Sequence, residues 1–223
     1  MIDATLQRKN MVESQVRPSD VTDRRIIRAM NDVPREEFVP APLRSIAYAD
    51  TEIRIKSAGP GAIARGLMAP RTFAKLLQLS GVNDQDVVLD IGCGTGYSAA
   101  VLARLAETVV ALEQDTEMAE GAIEITNKLA LDNLVVVTGD LAAGYPSEGP
   151  FDAIIVEGAV SHIPTTLLDQ LKDGGRLVAI ITDGAVPQAA VWHRFGEKFD
   201  RKSAFEASAP QLPDFEKPTE FIF

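Results

Sequence analysis

The residues of this 223-residue chain best suited to do chemistry are Asp90, the glycines Gly92, Gly94 and Gly96, then Glu113 and Asp140. Asp90 sits inside the apolar run Val87-Val88-Leu89-Asp90-Ile91, two residues before the first glycine. Glycines at alternate positions permit positive φ and let a ligand approach the backbone with no Cβ in the way. Glu113 ends a second apolar run that begins at Thr108, and a carboxylate there can accept both hydroxyls of a ribose. Each such hydrogen bond to a charged acceptor contributes about 1.5–3 kcal/mol. Asp140, directly after Gly139, can accept from the amino group of an adenine, with Leu141 packed on the ring. The set reads as a nucleoside-type cofactor site.

The spacing narrows the cofactor. The turn is G-x-G-x-G, with Tyr97 where the dinucleotide fingerprint needs its last glycine. Pyrophosphate favours a bare helix N-terminus, whereas a cofactor with an amino-acid tail and a sulfonium tolerates acidic neighbours, as S-adenosylmethionine does. Methyl transfer from a sulfonium mainly requires acceptor and methyl to be held about 3–3.5 Å apart. A carboxylate acceptor is already nucleophilic at neutral pH, so no Ser-His-Asp set or paired general acid and base is needed. Two rivals remain at this level: the same chemistry on a small carboxylic acid or other metabolite, and a non-catalytic protein that only binds the cofactor.

Composition bounds the partners. The formal net charge of −10 argues against tight contact with nucleic-acid phosphates, and the linear sequence shows no basic cluster of the usual kind. Cys93 is the single cysteine, which excludes an internal disulfide framework, and His162 and His193 offer no metal-ligand spacing. We expect no metal. Cys93 reads as a small residue of the glycine turn, Glu157 as a loop carboxylate and His162 as a rim residue. The segment from Met1 to Gln15 is polar, with neither a signal-peptide nor an anchor pattern, so the expected location is the cytoplasm, away from membranes.

The elements that must position these residues follow from periodicity. Thr5 to Val16 has helical spacing, and a second helix through Met30 is expected from a cap at Asp20 or Thr22. Tyr48 to Ile55 reads as a short extended piece, and the segment around Gly59 as a flexible loop. Pro70 suits the first turn of a helix through Leu79. From Val87 strands and helices alternate: Val87–Ile91, a helix from Ser98, Thr108–Glu113, a helix near Met118–Leu129, Leu134–Thr138, Phe151–Val156, a helix at Thr165–Leu171, and Arg176–Ile181. Gln188–Phe195 and Phe199–Glu206 read as a hairpin, and Phe221, Ile222 and Phe223 as a docked tail. The expected fold is a single α/β unit: a doubly wound, mostly parallel Rossmann-like sheet over 81–223 with a C-terminal antiparallel hairpin, preceded by a helical, acceptor-side region over 1–80.

Several segments together resemble the protein-L-isoaspartate O-methyltransferase family across nearly the whole chain. They are Val33-Pro34-Arg35-Glu36-Glu37-Phe38-Val39-Pro40, Ala47-Tyr48-Ala49-Asp50, Met68-Ala69-Pro70, the glycine turn with Tyr97, Gly139-Asp140, Phe151 to Val156, and Gln170 to Val178. The resemblance implies S-adenosylmethionine as cofactor, held by Asp90, Gly92, Gly94, Glu113 and Asp140, and an isoaspartyl protein or peptide as substrate. One stretch departs from the pattern. Where the family has Gly-Gln-Thr-Ile-Ser-x-Pro, with the serine on the acceptor carboxylate, this chain has Ala64-Arg65-Gly66-Leu67-Met68-Ala69-Pro70. The Met68 thioether cannot donate the hydroxyl's hydrogen bond. Arg65 is the candidate replacement, by a charge-assisted pair with the acceptor.

Overall fold

A computed structural model describes residues 3–215. The chain opens with α1 (Ala4–Met11), a π-helical turn at Val12–Val16, a 3-10 turn at Arg17–Ser19 and α2 (Arg24–Asp32). The cap of α2 is Asp23, whose carboxylate accepts from the Arg25 N–H at 2.8 Å. Neither expected cap serves. Asp20 takes a left-handed conformation that ends the preceding turn, and the Thr22 N–H is bound by Gln78 Oε1 at 2.7 Å.

An antiparallel pair follows, β1 (Ile53–Lys56) with β2 (Arg65–Leu67). A three-residue strand is too short to show alternation, so β2 reads as loop in the sequence although it carries Arg65. Helix α3 (Pro70–Ser80) begins at its proline. The remaining strands and α-helices among the described residues are β3 (Val87–Ile91), α4 (Tyr97–Leu102), β4 (Thr108–Glu113), α5 (Thr116–Lys128), β5 (Leu134–Thr138), β6 (Phe151–Val160), α6 (Thr165–Leu168), β7 (Leu171–Ile181), β8 (Gln188–Phe195) and β9 (Lys198–Glu206). Strands β6 and β7 are longer than the apolar runs suggest, because their bulged ends still pair with each other.

The main sheet has the order β5-β4-β3-β6-β7-β8-β9, parallel from β5 to β7 and antiparallel from β7 to β9. Asp90 on β3 is opposite Ala111 of β4 and Ile155 of β6. The chain therefore leaves β3 in one direction and returns on its other side, so the carboxyl end of β3 is the topological switch point where ligands bind in open α/β sheets. Two apolar layers clamp the sheet. Met30, Phe38, Phe73, Leu77 and Val101 fill one side, and Leu89, Leu112, Phe151, Leu167 and Leu177 the other. Each such side chain contributes about 1.5–3 kcal/mol by leaving water.

Phe215 is buried; Phe221, Ile222 and Phe223 lie outside the described residues. Arg24, Arg25, Arg28 and Arg104 meet around a surface groove of about 470 Å³, a local basic face not visible in the linear sequence. Among the described residues no helix is long and apolar enough to cross a membrane.

Candidate active site

Strand ends at the switch point bring three carboxylates to the glycine turn: Asp90 from β3, Glu113 from β4 and Glu157 from β6, all buried. Gly96 adopts φ +93°, a conformation that favours glycine, and its N–H reaches the Cys93 carbonyl at 2.8 Å. The turn passes directly into α4, where the Ser98 hydroxyl donates to Asp90 Oδ2 at 2.7 Å.

Glu113 is fully occupied. Arg65 Nη1 donates to its Oε1 at 2.7 Å and Arg65 Nη2 to its Oε2 at 2.8 Å, a bidentate pair. Backbone N–H groups of Gln114 and Asp115 reach Oε1 at 3.0 Å, and that of Gly94 reaches Oε2 at 2.8 Å. Five donors on a carboxylate with about four lone-pair sites leave no capacity for ribose hydroxyls. The pair is dry as well: the Glu113 side chain is 0% and the Arg65 side chain 7% exposed. Arg65 does form the charge-assisted carboxylate pair its chemistry suggests, but with the chain's own Glu113 instead of an acceptor.

The inner carboxylates are less well satisfied. Asp90 Oδ1 and Glu157 Oε1 are buried with no hydrogen-bond partner among the described residues. Burial pushes the Asp90 carboxyl up to about 7 against the pull of Ser98, with the nearby Glu113 charge adding to the rise. Burial, with the Asp90 charge behind it, drives Glu157 well above the usual carboxylate range, and Arg35 offsets this only in part. Two orphaned carboxylate oxygens suit a cation, such as the ammonium of an amino-acid tail. The donor set thus fits the methionine half of S-adenosylmethionine. The ribose half does not fit while Arg65 holds Glu113.

Arg35, from the Val-Pro-Arg-Glu segment, supports this floor. It is buried, donates to the Ala47 carbonyl at 2.9 Å and the Met68 carbonyl at 2.7 Å, and lies over the Tyr97 ring at 4.6 Å. Arg35→Ala is expected to lower stability by about 2–6 kcal/mol, because two buried carbonyls each lose their donor at about 1–3 kcal/mol. Urea unfolding checks this.

Other candidate residues have partners or packing of their own. Asp140 is exposed and its Oδ1 accepts from the Ala142 and Ala143 N–H groups at 2.8 and 3.3 Å, the local cap of a turn. Leu141 is fully buried in the core beneath the sheet edge, where no ring can reach it without repacking. His162 Nδ1 faces the Phe215 carbonyl at 3.0 Å. Cys93 is buried and its thiol is pushed up by desolvation, which suits a packing residue and not a nucleophile. Among the described residues no cluster of three or more His, Cys, Asp or Glu could hold a metal.

Residues 6–204 match the family model for protein-L-isoaspartate(D-aspartate) O-methyltransferase. The chain belongs to this family. It is 37% identical over 195 residues to protein-L-isoaspartate O-methyltransferase of Herpetosiphon aurantiacus, covering 87% of this chain and 84% of that protein. The Methanoculleus marisnigri enzyme of the same name is 40% identical over 173 residues, covering 78% and 76%. Among solved structures, a protein-L-isoaspartate O-methyltransferase superposes with TM-score 0.80 at 28% identity, covering 92% of this chain and 65% of that one. A Plasmodium falciparum protein solved with S-adenosyl-L-homocysteine shares the fold, at TM-score 0.76 and 21% identity, over 92% of this chain and 97% of that one.

Membership in the family makes the stretch from Arg65 to Met68 the point of interest. Met68 is buried in the core, so its thioether packs and its carbonyl serves Arg35. Gly66 lies under Pro210: a Cβ there would stand 2.9 Å from Pro210 Cγ and 3.2 Å from the Ile53 carbonyl oxygen. A threonine at 66 therefore requires the C-terminal segment to move. The residues the sequence did not single out are Ile55 and Leu212, which cover the glycine turn; only contact across the fold reveals them.

Proposed function

We propose that the chain transfers a methyl group from S-adenosylmethionine to a carboxylate, with an isoaspartyl residue of a protein or peptide as the acceptor, once Arg65 has left Glu113. The observation that carries this reading is the meeting of Asp90, Glu113 and the glycine turn at the switch point of a chain of this family. When bound, the cofactor supplies an electrophilic methyl on a sulfonium. Glu113, freed of Arg65, would take the two ribose hydroxyls in place of the two guanidinium donors and keep its three backbone donors, the same five-donor load it carries now. Asp90 and Glu157 hold the cationic tail with the oxygens that are otherwise unpartnered. Arg35 fixes the Met68 carbonyl and the Tyr97 ring, and so the position of the acceptor-side strand. No residue needs to remove a proton from an ionised acceptor. The net charge of −10 supports a protein acceptor over nucleic acid, and the lone cysteine suits the reducing cytoplasm.

Labelled-methyl transfer to an isoaspartyl peptide, beside its aspartyl twin and small carboxylic acids, tests the reading. Slow transfer to the isoaspartyl peptide alone is expected, because Met68 leaves one acceptor oxygen less well held. Met68→Ser is expected to raise that rate about tenfold or more in the folded variant, the worth of one hydrogen bond to a charged group at the transition state. Transfer only to small acids would assign a different acceptor. Cofactor binding with no transfer to any of them would leave a non-catalytic binding protein.

A further inference from the structure

The space around the glycine turn is divided. An outer cleft of about 700 Å³ is lined by Lys56, Arg65, Gln114, Asp115 and Leu212 among others, and is large enough for a nucleoside. The inner void beside Met68, Tyr97 and Glu157 measures only about 10 Å³, room for one water at most. Arg65 lines the outer cleft and not the void. Its Nη2 lies 3.5 Å from where a Cβ on Gly92 would stand, so the guanidinium covers the backbone that a cofactor would approach. Leu212 presses on the same turn, its Cδ2 2.9 Å from that Gly92 position, and Ile55 Cδ1 is 2.8 Å from the corresponding position on Gly94. Backbone bonds pin Leu212 there: Ala159 N–H to the Pro210 carbonyl at 2.8 Å and Leu212 N–H to the Ala159 carbonyl at 3.0 Å.

We infer that Arg65 is a built-in competitor for the ribose, and that the β1–β2 hairpin and the Leu212 segment form a latch that holds the cofactor site shut until it is displaced. The inference rests on the cofactor reading above. Glu113 offers its oxygens to one ligand at a time, and the guanidinium delivers two charged donors where a ribose delivers two neutral ones. Cofactor affinity in the wild-type chain is therefore reduced by the population of the open state, as for any ligand whose site is only fractionally available. The latch also makes binding dependent on a rearrangement of residues 53–67, so a partner or acceptor that draws this hairpin away raises cofactor affinity by linkage.

Calorimetry with S-adenosylhomocysteine on the full chain separates the possibilities. Arg65→Gln removes the charge while Glu113 keeps its three backbone donors, and should bind at least tenfold more tightly than wild type. Arg65→Lys keeps a counter-charge for Glu113 but loses the bidentate grip, and should fall between the two; it decides the matter if Arg65→Gln does not fold. Wild-type affinity equal to or better than that of the folded variants would overturn the latch and leave the cofactor reading standing. No binding by wild type or either folded variant at millimolar ligand would overturn both.

Discussion

Glu113→Gln is expected to lower stability by about 3–5 kcal/mol, measured by urea unfolding at pH 7, because it strands a buried guanidinium. Among the described residues Arg65 hydrogen-bonds one carboxylate, and its other hydrogen bond is a 3.4 Å approach to the Gly92 carbonyl. A glutamine makes matters worse on its own side. Its NH₂ group would face either the Gly94 N–H or those of Gln114 and Asp115, donors that would lose their acceptor. The opposite truncation, Arg65→Gln, should be milder, since the carboxylate retains those donors. Replacing both residues at once, with Arg65→Met added to Glu113→Gln, should recover part of the loss because no guanidinium is then left without its carboxylate. A loss below about 1 kcal/mol for Glu113→Gln, the range of exposed ion pairs, would show that the pair is open to solvent and that the site is not held shut.

Asp90→Asn should stabilise the chain, and increasingly so as pH rises. The carboxyl is pushed up to about 7 in the folded state by burial, against an ordinary value of 3.8 when unfolded. Between those values the folded state holds a proton that the unfolded state has lost, so stability falls as pH rises through this window and levels off above the folded value. A shift of about three units at 1.36 kcal/mol each sets an upper bound of about 4 kcal/mol. Asparagine titrates in neither state and escapes the loss. Its amide can still accept from Ser98, as Asp90 Oδ2 does at 2.7 Å. The stability advantage over wild type should therefore be small near pH 4 and reach about 2–4 kcal/mol at pH 8 in urea titrations. A pH-independent difference would show that Asp90 is ionised throughout, already paired with a cation. The same variant should bind S-adenosylhomocysteine less well, since an amide is a poorer partner for an ammonium.

Strong local signals made most of the scaffold legible in the sequence. Val87–Ile91 and Thr108–Glu113 are continuous apolar runs of the kind a parallel strand buried on both faces requires, and each lies between two parallel neighbours in the sheet. Where a boundary moved, a tertiary contact moved it. The α2 cap fell at Asp23 because Gln78, remote in the chain, took the Thr22 N–H. Strand β6 ran on to Val160 because β7 was there to pair with it.

By itself the sequence determined that Asp90, Glu113 and the glycine turn meet at the switch point, because chain order and strand periodicity decide which strand ends lie side by side; that Glu157 joins them from β6 was decided by the fold. The sequence also carried the family, through segments such as Val33 to Pro40 that local pattern alone reveals. The state of the site was decided by the tertiary structure. Arg65 and Glu113 are separated by 48 positions, and no periodicity relates a three-residue strand to a remote strand end. The packing of Ile55, β2 and the Leu212 segment over the turn keeps that pair dry, and exclusion of water is what makes the guanidinium a competitor, just as burial raises the Asp90 carboxyl.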